Sequence, residues 1–269
     1  MRDLPDPREE YNLPFLTLEE LFPELYSGTS LRPDDHWGDS GTLPWSAGPS
    51  WRWSERRLAK IWFVPEDVPE HEGNWEHLAN RIDEIDEGFK ELGFDVEIYQ
   101  DGSSDELIEM LRGPADYRFI AAHGEMPTDD FFDDENGIRA IDRHVRWVEI
   151  EKSIGATGLL HMASCWSFNA ICIDEDGDYP FHWGLADAGC SAAILSHGVG
   201  YSFPGEIKTG RGFEIERLLW LLERCLEVGL RRAMDDYREG YESMLGKTDA
   251  SLLVDHDVVV GDPEWGISG

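Results

Sequence analysis

Two short motifs place a histidine and a cysteine where an α/β protein can build a catalytic site. Residues 158–168 read GLLHMASCWSF, an apolar run that stops at Ser164 and Cys165. Residues 116–124 read DYRFIAAHG and end at His123 and Gly124, roughly forty residues earlier, which leaves room for one crossover between parallel strands. Open parallel sheets bind their ligands at the carboxyl ends of such strands. We therefore expect His123 and Cys165 to face each other across one sheet edge.

This pair of residue types suits acyl transfer. A thiol is a good nucleophile only as the thiolate, and a neighbouring imidazole can take its proton or stabilise the anion. When the thiolate attacks a carbonyl carbon, the oxyanion that forms needs fixed donors. The backbone N–H of Gly124 is a natural candidate, and its missing Cβ would let a substrate come close. Each residue alone is more often structural, so the argument rests on both lying at successive strand ends.

Other residues could take part in chemistry, with weaker signals. A further apolar strand ends at His197 and Gly198, which makes His197 a rival base. His161 should share a strand face with Cys165, but the tight paired spacings of a zinc site are absent. The acidic run 129–135 lacks the glycine and closing glutamate positions of an EF-hand loop. We expect no metal or other cofactor.

Strands and helices alternate along the chain around the two motifs. Residues 136–137, Asn-Gly, are predicted as the turn of a hairpin within an acidic excursion. Ser103 and Glu106 form a predicted capping box, and Gly93 is a predicted helix C-cap. The predicted strands lie at 58–64, 95–100, 116–124, 158–165, 191–198 and within 252–263, and the main predicted helices at 75–92, from 103, at 213–226 and at 230–241. This alternation predicts an α/β fold with a doubly wound, mostly parallel central sheet.

The charge balance narrows the classes of partner. The 269 residues carry 56 Asp plus Glu against 23 Lys plus Arg, a formal net charge of −33. Screening in concentrated salt removes the self-repulsion of such a chain, so we predict a salt-adapted protein. A surface of this sign is unsuited to nucleic acid and to anionic membranes. We therefore expect neither as a partner.

The cysteines and the N-terminal residues indicate the cellular compartment. The four cysteines form no C-x-x-C pair and are too sparse for a secreted disulfide framework, so we expect reduced thiols. No signal-peptide pattern opens the chain, and no apolar run approaches the length of a membrane span. These features predict a cytoplasmic protein. Residues 1–55, rich in Trp and Pro, are predicted as an N-terminal extension that lies on a main domain of residues 56–269.

The two motifs resemble those of caspase-like cysteine peptidases. FIAAHGE and LLHMASCWS, in this order on an α/β sheet, are similar to the strand-His-Gly and strand-Cys motifs of caspases, gingipains, separases and CHAT-domain proteins. The closing VVVGDPEW is similar to a Gly-Asp-Pro turn of gingipain-like and CHAT domains. The resemblance covers roughly residues 58–265. It implies a three-layer, caspase-like sandwich.

The resemblance also implies roles for individual residues. Cys165 would be the nucleophile, His123 the general acid/base, and the backbone N–H groups of Gly124 and Cys165 the oxyanion hole. Chain order favours His123 over His197, which would then lie near the substrate. Relatives that cut after Arg or Lys carry Asp two positions before the cysteine, where this chain has Ala163, and Asp67 is a candidate pocket residue instead.

These features predict a cysteine endopeptidase acting on peptide or protein substrates through a Cys165/His123 dyad. Many members of the families it resembles are activated by a partner, and some act in cell death or defence; here an activating partner would act in trans. The alternative is a caspase-like binding or scaffold module that cleaves nothing. A third interpretation is a thiol hydrolase acting on a small acyl substrate.

Overall fold

A six-stranded sheet forms the centre of the molecule. The computed structural model describes residues 2–5, 51–65, 76–124, 136–165, 167–168, 170–174, 177–196, 213–246 and 257–267. The strands are β1 (Arg57–Phe63), β2 (Phe94–Tyr99), β3 (Ala115–Ala121), β4 (Gly137–Arg139), β5 (His144–Arg146), β6 (Thr157–Ala163), β7 (Ile171–Asp174), β8 (Gly177–Pro180), β9 (Cys190–Ser196) and β10 (Asp257–Gly261). The helices are α1 (Glu76–Ala79), α2 (Ile82–Glu91), α3 (Ser104–Leu111), α4 (Trp147–Ser153), α5 (Phe181–Asp187), α6 (Phe213–Val228) and α7 (Leu230–Leu245).

The sheet has the order β10-β9-β6-β3-β1-β2, and all its pairings are parallel except that of β10 with β9. Strands β3 and β9 are buried along their whole length, which explains why they read as continuous apolar runs. Apolar residues of α2, α6 and α7 cover one face of the sheet, and those of α3, α4 and α5 cover the other. The predicted doubly wound, three-layer α/β architecture is confirmed.

The predicted C-cap at Gly93 is confirmed, the predicted capping box of Ser103 and Glu106 is formed in part, and one predicted helix is divided. Gly93 follows α2 with φ +85°, a conformation that favours glycine. Ser103 accepts a hydrogen bond from the Glu106 N–H (3.3 Å) at the start of α3, while the Glu106 carboxylate accepts from the N–H groups of the two residues before Ser103. The helix predicted over 75–92 is broken at Arg81, whose φ of −128° is not helical.

The predicted Asn136-Gly137 turn is wrong. Gly137 lies in β4, and the chain reverses between Ala140 and Arg143, where the Ala140 N–H donates to the Arg143 carbonyl (3.0 Å). A Cβ at Gly137 would overlap the carbonyl of Val145 on the partner strand. The glycine therefore serves a close approach of two strands rather than a turn.

A second ribbon, β7 paired with β8, and helix α5 were not predicted individually from the sequence. The two strands run antiparallel, with Ile171 opposite Pro180 and Cys172 opposite Tyr179. Their mixed polarity hides the strand signal because only Cys172 is fully buried in the ribbon.

Arg118 organises the amino-terminal end of the sheet. Its side chain is fully buried and donates to the carbonyls of Met110, Arg112, Gly113, Gly155 and Ala156 and to the hydroxyl of Thr157. These acceptors lie where α3 and α4 give way to β3 and β6. One guanidinium thus holds the ends of both crossovers that lead into the central strands.

Asp116 ties the segment before β1 to the same end of the sheet. Its buried carboxylate accepts hydrogen bonds from Trp51 Nε1 (2.8 Å), the Ser54 hydroxyl (2.5 Å) and the Leu58 N–H (2.8 Å). Trp53 packs against Phe94 and Trp265. These two tryptophans lie on the main domain as the sequence suggested; the domain boundary at 55/56 stays a prediction.

None of the described helices has the length and apolar character needed to cross a membrane.

Candidate active site

The pairing of β3 with β6 brings the two sequence motifs to one edge of the sheet. The strands run parallel, with Ala121 opposite Ala163 as the last pair, and the Ala122 N–H donates to the Ala163 carbonyl (3.3 Å). His123 lies two residues after Ala121, and Cys165 lies two residues after Ala163. Because neighbouring strands lie about 4.8 Å apart, the equal offset places both residues side by side at the carboxyl edge.

The segments that carry these residues are in direct contact at Gly124. A Cβ built on Gly124 would overlap the backbone carbonyl of Cys165 and lie 2.6 Å from the Ser164 hydroxyl oxygen. The sequence suggested that the missing Cβ gives room to a substrate. In the structure that room is taken by the backbone of the cysteine, so Gly124 sets how closely the two strand ends approach.

Strand β4 holds His123 from another side. The Arg139 N–H donates to the His123 carbonyl (2.9 Å), and Gly124 forms an isolated antiparallel bridge with Ile138. Ile138 and Val145 are fully buried, which anchors the β4–β5 ribbon in the core. The backbone on both sides of the histidine is therefore fixed by packed structure.

The loop after Cys165 is fastened to the end of β9. The Ser196 N–H donates to the Ser167 hydroxyl (2.8 Å), and the Phe168 N–H donates to the Ser196 carbonyl (3.0 Å). Phe168 stacks on His182 of α5 at 4.9 Å between ring centroids. Strand β9 flanks β6 as predicted, but His197 itself and the candidate pocket residue Asp67 lie outside the described residues.

Cys165 differs from the other cysteines in its exposure. Cys165 is half-buried, whereas Cys172, Cys190 and Cys225 are buried in the core as predicted, and none of the four forms a disulfide. Burial raises the pKa of Cys172 and of Cys190 to about 12 and raises that of Cys225 still further. These three thiols are therefore protonated and shielded at neutral pH, which leaves Cys165 as the accessible thiol of the four.

His161 is held as a neutral, hydrogen-bonded group behind the site. Its Nδ1 lies 3.0 Å from the Tyr117 hydroxyl, and burial, with a smaller contribution from the Arg217 charge, lowers the pKa of His161 to about 3. Burial also raises the pKa of Tyr117, so the phenol stays protonated and can donate to Nδ1. His161 and Ala163 line a small pocket with Arg217 and Asp257 beneath the strand end.

The low pKa of His161 predicts acid sensitivity of the fold. The unfolded imidazole titrates near pH 6.5 and the folded one near 3. The contribution of neutral His161 to stability is therefore complete above pH 6.5 and is lost at about 1.4 kcal/mol per pH unit as the pH falls toward 3. Between pH 7 and pH 5, the wild type should lose about 2 kcal/mol more unfolding free energy than His161→Gln, measured by denaturant titration. Parallel losses in the two proteins would contradict this prediction.

No group of three His, Cys, Asp or Glu side chains among the described residues is arranged to hold a metal ion. The acidic run 129–135, considered above for calcium, lies outside those residues.

Sequence inspection missed Arg139, because only the pairing of β4 with the end of β3 brings this residue to the site. The short alternation of apolar and polar residues around Ile138 is a signal for a strand, but nothing in the sequence shows which other strand this one pairs with.

Comparisons with known proteins find similar solved structures but no similar sequence. No family model matches the chain, and no curated protein matches it in sequence. Among solved structures, the Arg-specific cysteine proteinase gingipain R aligns at 16% identity over 77% of this chain and 46% of its own, with a TM-score of 0.48. A complex of the pro- and mature domains of RgpB from Porphyromonas gingivalis gives the same identity and TM-score over 77% of this chain and 48% of the other.

The separase–securin complex of Saccharomyces cerevisiae aligns at 12% identity over 76% of this chain and 12% of that chain, with a TM-score of 0.40. The chain spans less than half the length of each of these matched chains.

Proposed function

We propose that this protein is a cysteine endopeptidase that hydrolyses peptide bonds through a Cys165/His123 dyad. The observation that carries the proposal is the equal offset of the two residues beyond the Ala121–Ala163 pair, with Gly124 in contact with the cysteine backbone. Cys165 is half-buried whereas the other three cysteines are buried, and this difference supports the same assignment.

The chemistry follows from this arrangement. His123 accepts the thiol proton, and the Cys165 sulfur attacks the carbonyl carbon of the scissile peptide. The oxyanion that forms is bound by the backbone N–H groups of Gly124 and Cys165. As the C–N bond breaks, His123 gives its proton to the departing amine, leaving a thioester on Cys165. Water, deprotonated by His123, then attacks the thioester, and the acid product leaves as the thiol is restored.

The remaining parts of the proposal concern where and when the enzyme acts. Four cysteines without a disulfide suit the reducing cytoplasm, and the net charge of −33 suits a salt-rich cell. By the resemblance of the motifs, we infer activation by a protein partner in trans, in a defence or cell-death pathway. Asp67 and His197 remain proposed neighbours of the substrate.

Thiol labelling followed by intact mass tests the dyad. Iodoacetamide, in about 2 M KCl and at about pH 6, where well under about 1% of an ordinary thiol is thiolate, should label Cys165 and none of the three buried cysteines. His123→Ala should slow this reaction at least about tenfold, because the imidazole that stabilises the thiolate is gone. His197→Ala is the matched control and should react like the wild type.

Two outcomes would overturn the dyad. If His197→Ala rather than His123→Ala slows labelling, the base is the rival histidine. If Cys165 reacts no faster than the buried cysteines, the thiol is inert, and a caspase-like binding module becomes the better interpretation. Cleavage of small acyl esters without cleavage of any peptide would instead indicate a thiol hydrolase.

A further inference from the structure

His123, Arg139 and His144 lie on three neighbouring segments: the end of β3, strand β4 and strand β5. The bridge between Gly124 and Ile138 puts Arg139 opposite His123, and the β4–β5 register puts Arg139 opposite His144. Residues opposite each other in antiparallel strands project from the same face with Cβ atoms about 5 Å apart. Arg139 therefore lies on the same face as His123, one strand away.

Arg139 has few of the partners that an arginine in an acidic protein usually finds. Its Nε is buried and makes no hydrogen bond, and one terminal nitrogen lies 3.4 Å from His144 Nε2. Because a guanidinium can only donate, His144 Nε2 must be the acceptor in this contact. Among the described residues, no carboxylate lies within ion-pair distance of Arg139, whereas Arg143 and Arg146 of the same ribbon are both paired with Glu149.

This arrangement suits a carboxylate supplied from outside. A guanidinium binds a carboxylate through two parallel hydrogen bonds, one of which can use Nε. A donor left unpaired in a buried position is costly, so an incoming acceptor recovers that energy. In the proposed mechanism His123 gives its proton to the departing amine, so residues beside His123 contact the part of the substrate that follows the cleaved bond.

We propose that Arg139, with His144 behind it, binds a carboxylate of the peptide segment that leaves after cleavage. The inference rests on the proposed function and adds a substrate class to it: peptides with an acidic group shortly after the cleaved bond. That group is either an Asp or Glu side chain or the carboxyl terminus of the substrate.

Peptides in matched sets test the proposal and separate the two sources. A cleaved peptide is made with Glu or Gln two residues after the cut, and each version has a free or an amidated carboxyl terminus. The wild type should prefer either Glu over Gln or the free over the amidated carboxyl terminus, by at least about tenfold in kcat/KM. Arg139→Gln should abolish that preference, so that the acidic and neutral peptides are cleaved with equal kcat/KM. Arg143→Gln, which removes the same charge from the same ribbon, should keep the preference.

A labelling measurement keeps this inference separable from the peptidase proposal. Iodoacetyl-Gly-Glu-amide and iodoacetyl-Gly-Gln-amide alkylate Cys165 by the same step, in which the sulfur displaces iodide and forms a thioether. The wild type should react faster with the Glu probe at equal concentration, and Arg139→Gln should remove the difference. This readout needs no peptide cleavage, so an inactive protein that discriminates the probes would sink the peptidase proposal and leave the carboxylate site standing.

Equal discrimination by the wild type, Arg139→Gln and Arg143→Gln in both assays would overturn the carboxylate site. Thermal melts identify a variant that fails to fold. In that event Arg139→Lys serves as the second variant. Lysine keeps the positive charge but lacks the paired donors of the guanidinium, so it should retain part of the preference for the acidic peptide. A full wild-type preference in Arg139→Lys would show that the two parallel hydrogen bonds are not formed.

Discussion

Replacement of Cys165 by alanine is expected to abolish peptide hydrolysis, by at least about 10⁴-fold in kcat/KM. The thioester intermediate cannot form without the sulfur, and the other three thiols are buried in the core. Since Cys165 is only half-buried, its truncation should change the unfolding free energy by no more than about 1 kcal/mol. Cleavage of a peptide found by library screening, measured beside denaturant unfolding, checks both expectations.

Cys172→Ala is the matched control for this experiment. It also removes one sulfur, but from a fully buried position in the β7–β8 ribbon, so it should lower the melting temperature and leave the activity per folded molecule intact. Activity in Cys165→Ala equal to that of the wild type would refute the catalytic assignment, and equal loss in both variants would point to a stability effect instead.

Gly124→Ala should damage both the fold and the site. The new methyl group would overlap the Cys165 carbonyl and crowd the Ser164 hydroxyl, so one strand end must move. Overpacking of this kind costs about 1 to 3 kcal/mol of unfolding free energy. Displacement of the cysteine by about 1 Å relative to His123 should also lower kcat/KM by about 100-fold. Denaturant unfolding and peptide cleavage measure the two effects.

The cause of the Gly124→Ala effect can be isolated with two further variants. Gly113 has φ +70°, and a Cβ built on it meets nothing within 4 Å, so Gly113→Ala tests backbone strain without overlap and should leave activity unchanged. Adding Ser164→Ala to Gly124→Ala should restore only part of the stability, because the carbonyl overlap remains. Full recovery in the double variant would show that the hydroxyl alone sets the spacing.

The sequence was sufficient to predict the central layers of the fold and the strand ends that carry His123 and Cys165. The runs that became β3 and β6 are long enough, and apolar enough, to require burial on both faces. A glycine or small polar residue marks where each strand ends. These strand ends led to the prediction that His123 and Cys165 lie at one edge, because parallel neighbours of similar length expose their carboxyl ends together.

Features that depend on pairing between distant short segments could not be predicted. Asn136-Gly137 reads as a turn because the local signal for a tight reversal is the same as that for a close strand contact, and only Val145 decides between them. Arg139 gained its place beside His123 through a single bridge at Gly124. Periodicity records which side of an element is buried, but it does not record the identity of the partner strand.

The buried Arg118 ties together the end of the sheet that lies opposite to the edge where His123 and Cys165 follow their strands. Its acceptors lie where the crossovers enter β3 and β6, and each of these strands spans roughly 20 Å from that end to the carboxyl edge. Changes in the loops at that edge leave this anchor untouched. Selection or protein engineering could therefore exchange the loops at the carboxyl edge without loss of the buried contacts that hold the opposite end of the sheet together.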